Sequence, residues 1–273
     1  GRPTGGRHGA ATQRVGRVTL LTSAGVCRLA MRQARFRDPA GSVRTGEWTP
    51  DGIEFGGDVY DPDDVDVLPP VEPSKIVCIG LNYADHAEET DSDIPERPLL
   101  FLKGPNTLAG HGDVVTLPPG KERVDYEAEL GVVIGEQCRN VAESDAMDVV
   151  AGYTCVNDLS NRDDQRQEQN WIRGKAFDNA APIGPVVASA DLVPEDASIQ
   201  LRQNGELRQE STIDNLIYSV PELIAEITAY VTLEEGDVIA TGTTSGVGPM
   251  NDGDTIEVEV EGVGVLQHGV RDE

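Results

Sequence analysis

From Lys75 onward the chain keeps returning to one unit, a short run of valine, isoleucine, leucine and alanine closed by glycine, proline, asparagine or aspartate. KIVCIGLN, DVVTL, AELGVVIG, VAGYTCVND, IGPVVAS, SIQLRQNG, DVIATG and TIEVEVEGVGVLQHGV are all of this kind. Runs so short and so rich in β-branched residues read as strands, buried on both faces where they are wholly apolar and on one face where polar residues alternate. Helical segments are expected only at AESDAMDVV and VPELIAEITAYV. Strands and helices do not alternate, and neither G-x-G-x-x-G nor a Walker loop occurs, which argues against the nucleotide-binding folds. The fold class expected is mainly β with a few helices, α+β. At 273 residues and 38% hydrophobic content, the chain can bury a sizeable core.

The first seventy residues read differently. Residues 1–30 hold five Arg and no Asp or Glu, and MRQARFRD then begins as a start would, so a flexible leader or an upstream-start artefact is expected there, with Met31 as the natural N-terminus. A secretory signal is the weaker reading, because VTLLTSAGV is short, carries Thr and Ser, and soon meets Arg28. Residues 31–70 read as short strands and turns (RQARFRD, TGEWTPDG, IEF), a small N-terminal β annex. LPPVEPS is a proline-rich joint, and the main domain is expected over 71–273.

Charge narrows the partners. Asp and Glu number 48 against 22 Lys and Arg, a net charge of -26, which makes nucleic acid an unsuitable partner. Of the 22 basic residues only Lys75, Lys103, Lys121 and Lys175 are lysine. Suppressed lysine beside abundant carboxylate fits the cytoplasm of a high-salt organism, where self-repulsion is screened and hydrated carboxylates keep the surface solvated. Cys27, Cys78, Cys138 and Cys155 form no C-x-x-C pair, so neither a zinc ribbon nor a redox motif is indicated. No stretch approaches the ~20 apolar residues needed to cross a membrane.

The chemistry begins at VDYEAELGVVIG. On a strand, residues two apart share a face, so Glu127 and Glu129 project together and can grip one hard cation. In so acidic a chain such pairs also arise by chance; Glu257, Glu259 and Glu261 alternate with Val258 and Val260 and read as a solvated strand face. Glu127 and Glu129 differ in running into a fully apolar strand, where buried charge needs a metal or a cationic partner. Asp158, in CVNDLSNRDDQ, follows another apolar strand and offers a third oxygen, although a turn or helix-cap aspartate would look the same. Oxygen ligands suit Mg2+, Mn2+ or Ca2+ better than zinc.

GLNYADHAEE, LLFLKGPNTL, DYEAELGVVIG, NDLSNRDDQ, RGKAFDNAAPIGPVV, RQNGELRQ and ATGTTSGVGPMNDGD, in that order, resemble the fumarylacetoacetate hydrolase family over roughly residues 75 to 270. The resemblance implies a fumarylacetoacetase C-terminal-like mixed β-roll, a homodimer, and a Mg2+, Mn2+ or Ca2+ ion held by Glu127, Glu129 and Asp158. It implies a small 2-oxo acid substrate whose oxo and carboxylate oxygens chelate an ion that stabilises an enolate. His86 and Glu89, three apart on a helical face, match the hydrolytic members, with the carboxylate orienting the imidazole as general base. Lys175 resembles the family's active-site lysine. Arg162, Gln165 and Thr243 match substrate-binding positions, and Tyr83 and Lys103 are further candidates. His111 and His268 have no such company and read as structural. Two departures, Thr244 with Ser245 in the glycine-threonine loop and Leu81 where some members carry arginine, fall near the expected substrate tail. Hydrolysis of an acylpyruvate-type 2,4-dioxo acid is the first expectation. Isomerisation, tautomerisation or decarboxylation of a 2-hydroxy-diene-dioate or oxaloacetate is the second, and a non-catalytic metal-stabilised β protein the third.

The salt reading has a direct test. The folded fraction followed by circular dichroism is expected to rise steeply as KCl goes from millimolar to molar, and a salt-indifferent transition would contradict it.

Overall fold

The computed structural model describes residue 1 and residues 31–89, 91 and 93–273. The leader expectation falls on residues 2–30, which lie outside the described residues. Strands dominate, with few helices, as the apolar runs require.

A 12-stranded sheet forms the body of the molecule. Its centre is built from the strands Ala181–Ala188, Val150–Asn157, Ala128–Ile134, Val238–Thr243 and Ile76–Ile79, in that spatial order. Neighbours run antiparallel except that Val238–Thr243 lies parallel to Ile76–Ile79. Ala128–Ile134 and Ala181–Ala188 are buried along their whole length. Successive residues face opposite sides, so Leu130, Val132 and Ile134 enter the main core while Val133 joins Ile76, Cys78, Val156 and Ile183 in a second cluster.

A 5-stranded sheet covers the main core. Its strands Ser198–Gln203 and Thr255–Val260 alternate strictly, with Ile199, Leu201, Val258 and Val260 inward among the same cluster as Leu130. Glu257 and Glu259 point outward, and Arg202 pairs with Glu259 at 2.8 Å, as a solvated face should. A 3-stranded sheet joins Ser160–Asn161, Val124–Tyr126 and Gly248–Pro249. The helix Val220–Tyr230 forms where expected: Ser219 and Glu222 make a capping box, and Leu223, Ile224 and Ile227 are buried. AESDAMDVV winds instead as 3-10 turns over Glu143–Val149. Ser144, Asp145 and Asp148 compete with the α-helical backbone, and only Ala146 and Val149 are buried to reward a longer helix.

The strands of residues 31–70 continue the large sheet. Arg32–Arg37 pairs with Ala181–Ala188 through Arg32↔Ala188, Gln33↔Val187 and Ala34↔Val186. Phe36 and Ile53 are 0% exposed within the main core cluster. Emptying the Phe36 site should therefore cost about 3–5 kcal/mol. Phe36→Ala is expected to unfold in one cooperative transition at lower urea; a separate early transition with an undisturbed main unfolding would show an independent annex.

Candidate metal centre and adjoining cavity

The sequence reading treats Glu127 and Glu129 as alternate residues of one strand. The structure interrupts the strand at Glu127, between Val124–Tyr126 of the small sheet and Ala128–Ile134 of the large one. The carboxylates still converge. Glu127, Glu129 and Asp158 each bring a carboxylate oxygen to within 4.8 Å of the others, and all three are buried. Asp158 sits immediately past the Val150–Asn157 strand, at the strand end expected of it.

The main chain around this trio is closely held. Asp158 N–H donates to the Glu127 carbonyl at 2.9 Å, and Glu127 N–H donates to Asn157 Oδ1 at 2.8 Å. Between the glutamates, Ala128 N–H donates to Gln209 Oε1 and its carbonyl accepts from the Thr243 hydroxyl, both at 2.9 Å. Gln209 Nε2 in turn donates to Thr243 Oγ1 at 2.9 Å and to the Thr244 carbonyl at 2.8 Å. Gly242 N–H donates to Glu129 Oε2 at 2.8 Å. Gly242 has φ +100°, and a Cβ there would stand 2.7 Å from Asn82 Cβ, so only glycine suits this approach.

Cations surround two of the carboxylates. Lys175 Nζ lies 2.6 Å from both Glu127 Oε2 and Asp158 Oδ2. Arg162 donates to Glu127 Oε1 at 2.5 Å, to Asp125 Oδ2 at 2.8 Å and to Gln165 Oε1 at 2.8 Å. Lys103 donates to the carbonyls of Leu159 and Ala180 at 3.2 and 2.7 Å, and its Nζ stands 2.7 Å from Asp158 Oδ1 without hydrogen-bond alignment. Burial alone would raise the Glu127 pKa, but Lys175 and Arg162 outweigh it and hold that carboxyl well below its ordinary range. Burial likewise works against the Lys175 ammonium, and Asp158 and Glu127 reverse the effect and keep it charged. Glu129 forms no ion pair among the described residues. Burial first, then Asp158 and Glu127, push its pKa well above normal.

A buried oxygen without an aligned donor, Asp158 Oδ1, and a crowded carboxylate without a cation, Glu129, are the features a divalent ion would satisfy. The residues fit such an ion, and the all-oxygen set suits Mg2+, Mn2+ or Ca2+.

A cavity of about 720 Å³ opens beside the trio, with His86, Arg162 and Gln165 on its polar side and Leu81, Leu99 and Trp171 among its apolar walls. His86 is buried on the helix Ala84–Glu89, its Nδ1 3.2 Å from Glu89 Oε2. Gly246 N–H donates to both Glu89 oxygens at 3.1 Å, and the Thr244 and Ser245 hydroxyls donate to Asp85 Oδ2 at 2.7 and 2.9 Å. Residues 244 and 245, the departures noted in the sequence, thus fasten the glycine-threonine loop to the helix that carries His86. Tyr83 is buried, its hydroxyl has no hydrogen-bond partner among the described residues, and burial and then Glu129 push its pKa up.

Lys103, Lys175, Arg162 and Thr243 therefore stand around the carboxylates, and His86, Arg162 and Gln165 around the cavity. Arg162 and the Thr243 hydroxyl are committed to protein partners. Sequence reading passed over Asp125, Asn157 and Gln209. Their signals were present: Asp125 continues the two-residue spacing of Glu127 and Glu129, Asn157 precedes Asp158, and Gln209 closes the RQNGELRQ block.

Residues 75–271 match the family profile described as fumarylacetoacetate (FAA) hydrolase C-terminal. Oxaloacetate tautomerase YisK of Bacillus subtilis is 41% identical over 231 residues, covering 80% of this chain and 77% of that protein. The crystal structure of a 2-hydroxyhepta-2,4-diene-1,7-dioate isomerase from Mycobacterium marinum superposes with a TM-score of 0.81 at 33% identity, over 89% of this chain and 99% of that one. A fumarylpyruvate hydrolase from Pseudomonas aeruginosa, solved with Mn2+ and pyruvate, gives 0.70 at 33% identity, over 76% of this chain and 92% of that one.

The raised Glu129 pKa fixes a sign. Below the ordinary value near 4.5 the carboxyl is protonated in both folded and unfolded chains; as pH rises, the unfolded chain ionises first and the metal-free fold loses stability until the folded pKa is passed. Metal-free Glu129→Gln should therefore melt above the metal-free parent, by a margin that widens as pH rises above about 4.5. Calorimetry across pH checks this, and a variant that melts lower near neutrality would contradict it.

Proposed function

The chain belongs to the fumarylacetoacetate hydrolase family, and we propose that it hydrolyses a C–C bond of an acylpyruvate-type 2,4-dioxo acid with Mg2+ or Mn2+ held by Glu127, Glu129 and Asp158. Members of this family are enzymes, with hydrolase, isomerase and tautomerase activities among the relatives described above. The observation that carries the hydrolytic reading is buried His86 at the wall of the cavity, its Nδ1 beside the more exposed carboxylate of Glu89. When bound, the ion supplies Lewis acidity where negative charge gathers on the substrate's 2-oxo and carboxylate oxygens.

The protein's own groups supply the rest. Glu89, fixed by Gly246, accepts the Nδ1 proton of His86 in a hydrogen bond and leaves Nε2 as the basic nitrogen. That nitrogen takes a proton from water, whose oxygen adds to the 4-oxo carbon. The bond between C3 and C4 then breaks, its electron pair moves to the pyruvyl fragment as an enolate, and protonation at C3 yields pyruvate beside a carboxylic acid. Lys175, held cationic between Glu127 and Asp158, holds both carboxylates in place and keeps Glu127 ionised. Leu81, Leu99 and Trp171 offer the acyl group an apolar wall and keep bulk water from it.

The 41% identity to a tautomerase favours a second reading, in which the same groups move a proton between carbon and oxygen without cleavage. Pyruvate release separates the two. His86→Ala is expected to lower kcat for acylpyruvate cleavage by about 10²–10⁴-fold with little change in KM. Undiminished release would remove His86 from the mechanism. Tautomerisation of oxaloacetate without pyruvate release from any acylpyruvate would favour the second reading, and metal-dependent stability without turnover would mean a purely structural ion.

A further inference from the structure

His268 is fully buried on the strand Gly264–Asp272 of the 5-stranded sheet. Its ring makes two contacts. Nδ1 is 3.1 Å from the Gly269 carbonyl oxygen, and Nε2 is 2.8 Å from Asn157 Nδ2. A carbonyl has no proton to give, so Nδ1 carries the hydrogen. Burial disfavours the charged ring, lowering the pKa to about 4, so near neutrality Nε2 has a lone pair and only accepts.

That single tautomer decides which way Asn157 faces. An accepting Nε2 requires the amide nitrogen of Asn157 to point at His268, which turns Oδ1 the other way. Oδ1 then meets Glu127 N–H at 2.8 Å. Glu127 lies outside both strands that flank it, and this is the hydrogen bond its N–H makes. The next residue after Asn157 is Asp158, whose N–H holds the Glu127 carbonyl at 2.9 Å. Turning the amide would set two acceptors face to face, Asn157 Oδ1 and His268 Nε2, and two donors face to face, the Asn157 NH₂ and Glu127 N–H.

We propose that His268 is a positioning residue for the metal centre: through Asn157 it fixes the main chain of Glu127 and hence the spacing of the Glu127 and Asp158 carboxylates for a divalent cation. The inference rests on the metal reading of Glu127 above. Apolar packing alone would serve a core histidine equally well with either nitrogen protonated; the positioning role needs one tautomer.

Nitrogen NMR of the full chain with 15N-labelled histidine tests this without any substitution. Near neutrality, His268 is expected as the Nδ1–H tautomer with a bare Nε2, with or without Mg2+; an Nε2–H ring would overturn the proposal. Electron paramagnetic resonance then gives the Mn2+ dissociation constant for two variants. His268→Leu removes the acceptor and is expected to weaken Mn2+ binding about 10–100-fold, whereas His268→Gln keeps an acceptor and should stay within about threefold of the parent. Leu and Gln variants that bind Mn2+ as the parent does, whatever their melting temperature, would overturn the positioning role alone. If His268→Leu fails to fold, a folded His268→Gln with Mn2+ binding tenfold weaker would do the same. Absence of Mn2+ binding by the parent chain would overturn the metal reading of Glu127 itself.

Discussion

Three carboxylates confined within 4.8 Å of one another and sealed from water repel strongly. At an effective dielectric constant near 20, each such pair costs about 3–4 kcal/mol, and three pairs together approach the whole stability of an ordinary domain. The arrangement persists only if cations or protons answer the charge. Lys175 and Arg162 answer for Glu127, and Lys175 and Lys103 for Asp158. Glu129 is left to a proton or to a metal ion.

The rest of the architecture serves this constraint. The central strands of the large sheet deliver Glu129 and Asp158, the small sheet delivers Glu127, and the 5-stranded sheet reaches across with Gln209 and His268. The carboxylates are thereby carried by backbone of two sheets and braced from the third. The end of Val238–Thr243 and the loop after it close the arrangement on the other side, binding Glu129 through Gly242 and the His86 helix through Thr244, Ser245 and Gly246. Glu129 and the helix that carries His86 are thus held by one short segment, so a change there shifts the geometry of both.

Much of this was legible in the sequence, for identifiable reasons. Burial on both faces writes itself as continuous apolar runs, so Ala128–Ile134 and Ala181–Ala188 could be read directly, and strict alternation marked Thr255–Val260. The spacing of Glu127 and Glu129 was weak evidence by itself because 48 acidic residues produce many such pairs; the apolar strand behind them gave it meaning. The scarcity of lysine was informative in an unforeseen way. All four lysines are paired with Asp or Glu, and two of them contact Asp158. What local patterning could not carry was long-range pairing: Gln209 meets Ala128 across 81 residues, and Asn157 meets His268 across 111. The break at Glu127 and the 3-10 path of Glu143–Val149 were also hidden, since both are decided by what packs against the segment rather than by its own spacing.

If the buried trio is a cation site and not merely a network of internal ion pairs, it takes up a divalent ion between its carboxylates. Anomalous scattering from crystals of the full chain equilibrated with Mn2+ tests it most directly. One peak per chain bonded to Glu127, Glu129 and Asp158 is the predicted result. Absence of a peak among those carboxylates, with Lys175 still bridging Glu127 and Asp158 and Glu129 protonated, would contradict it.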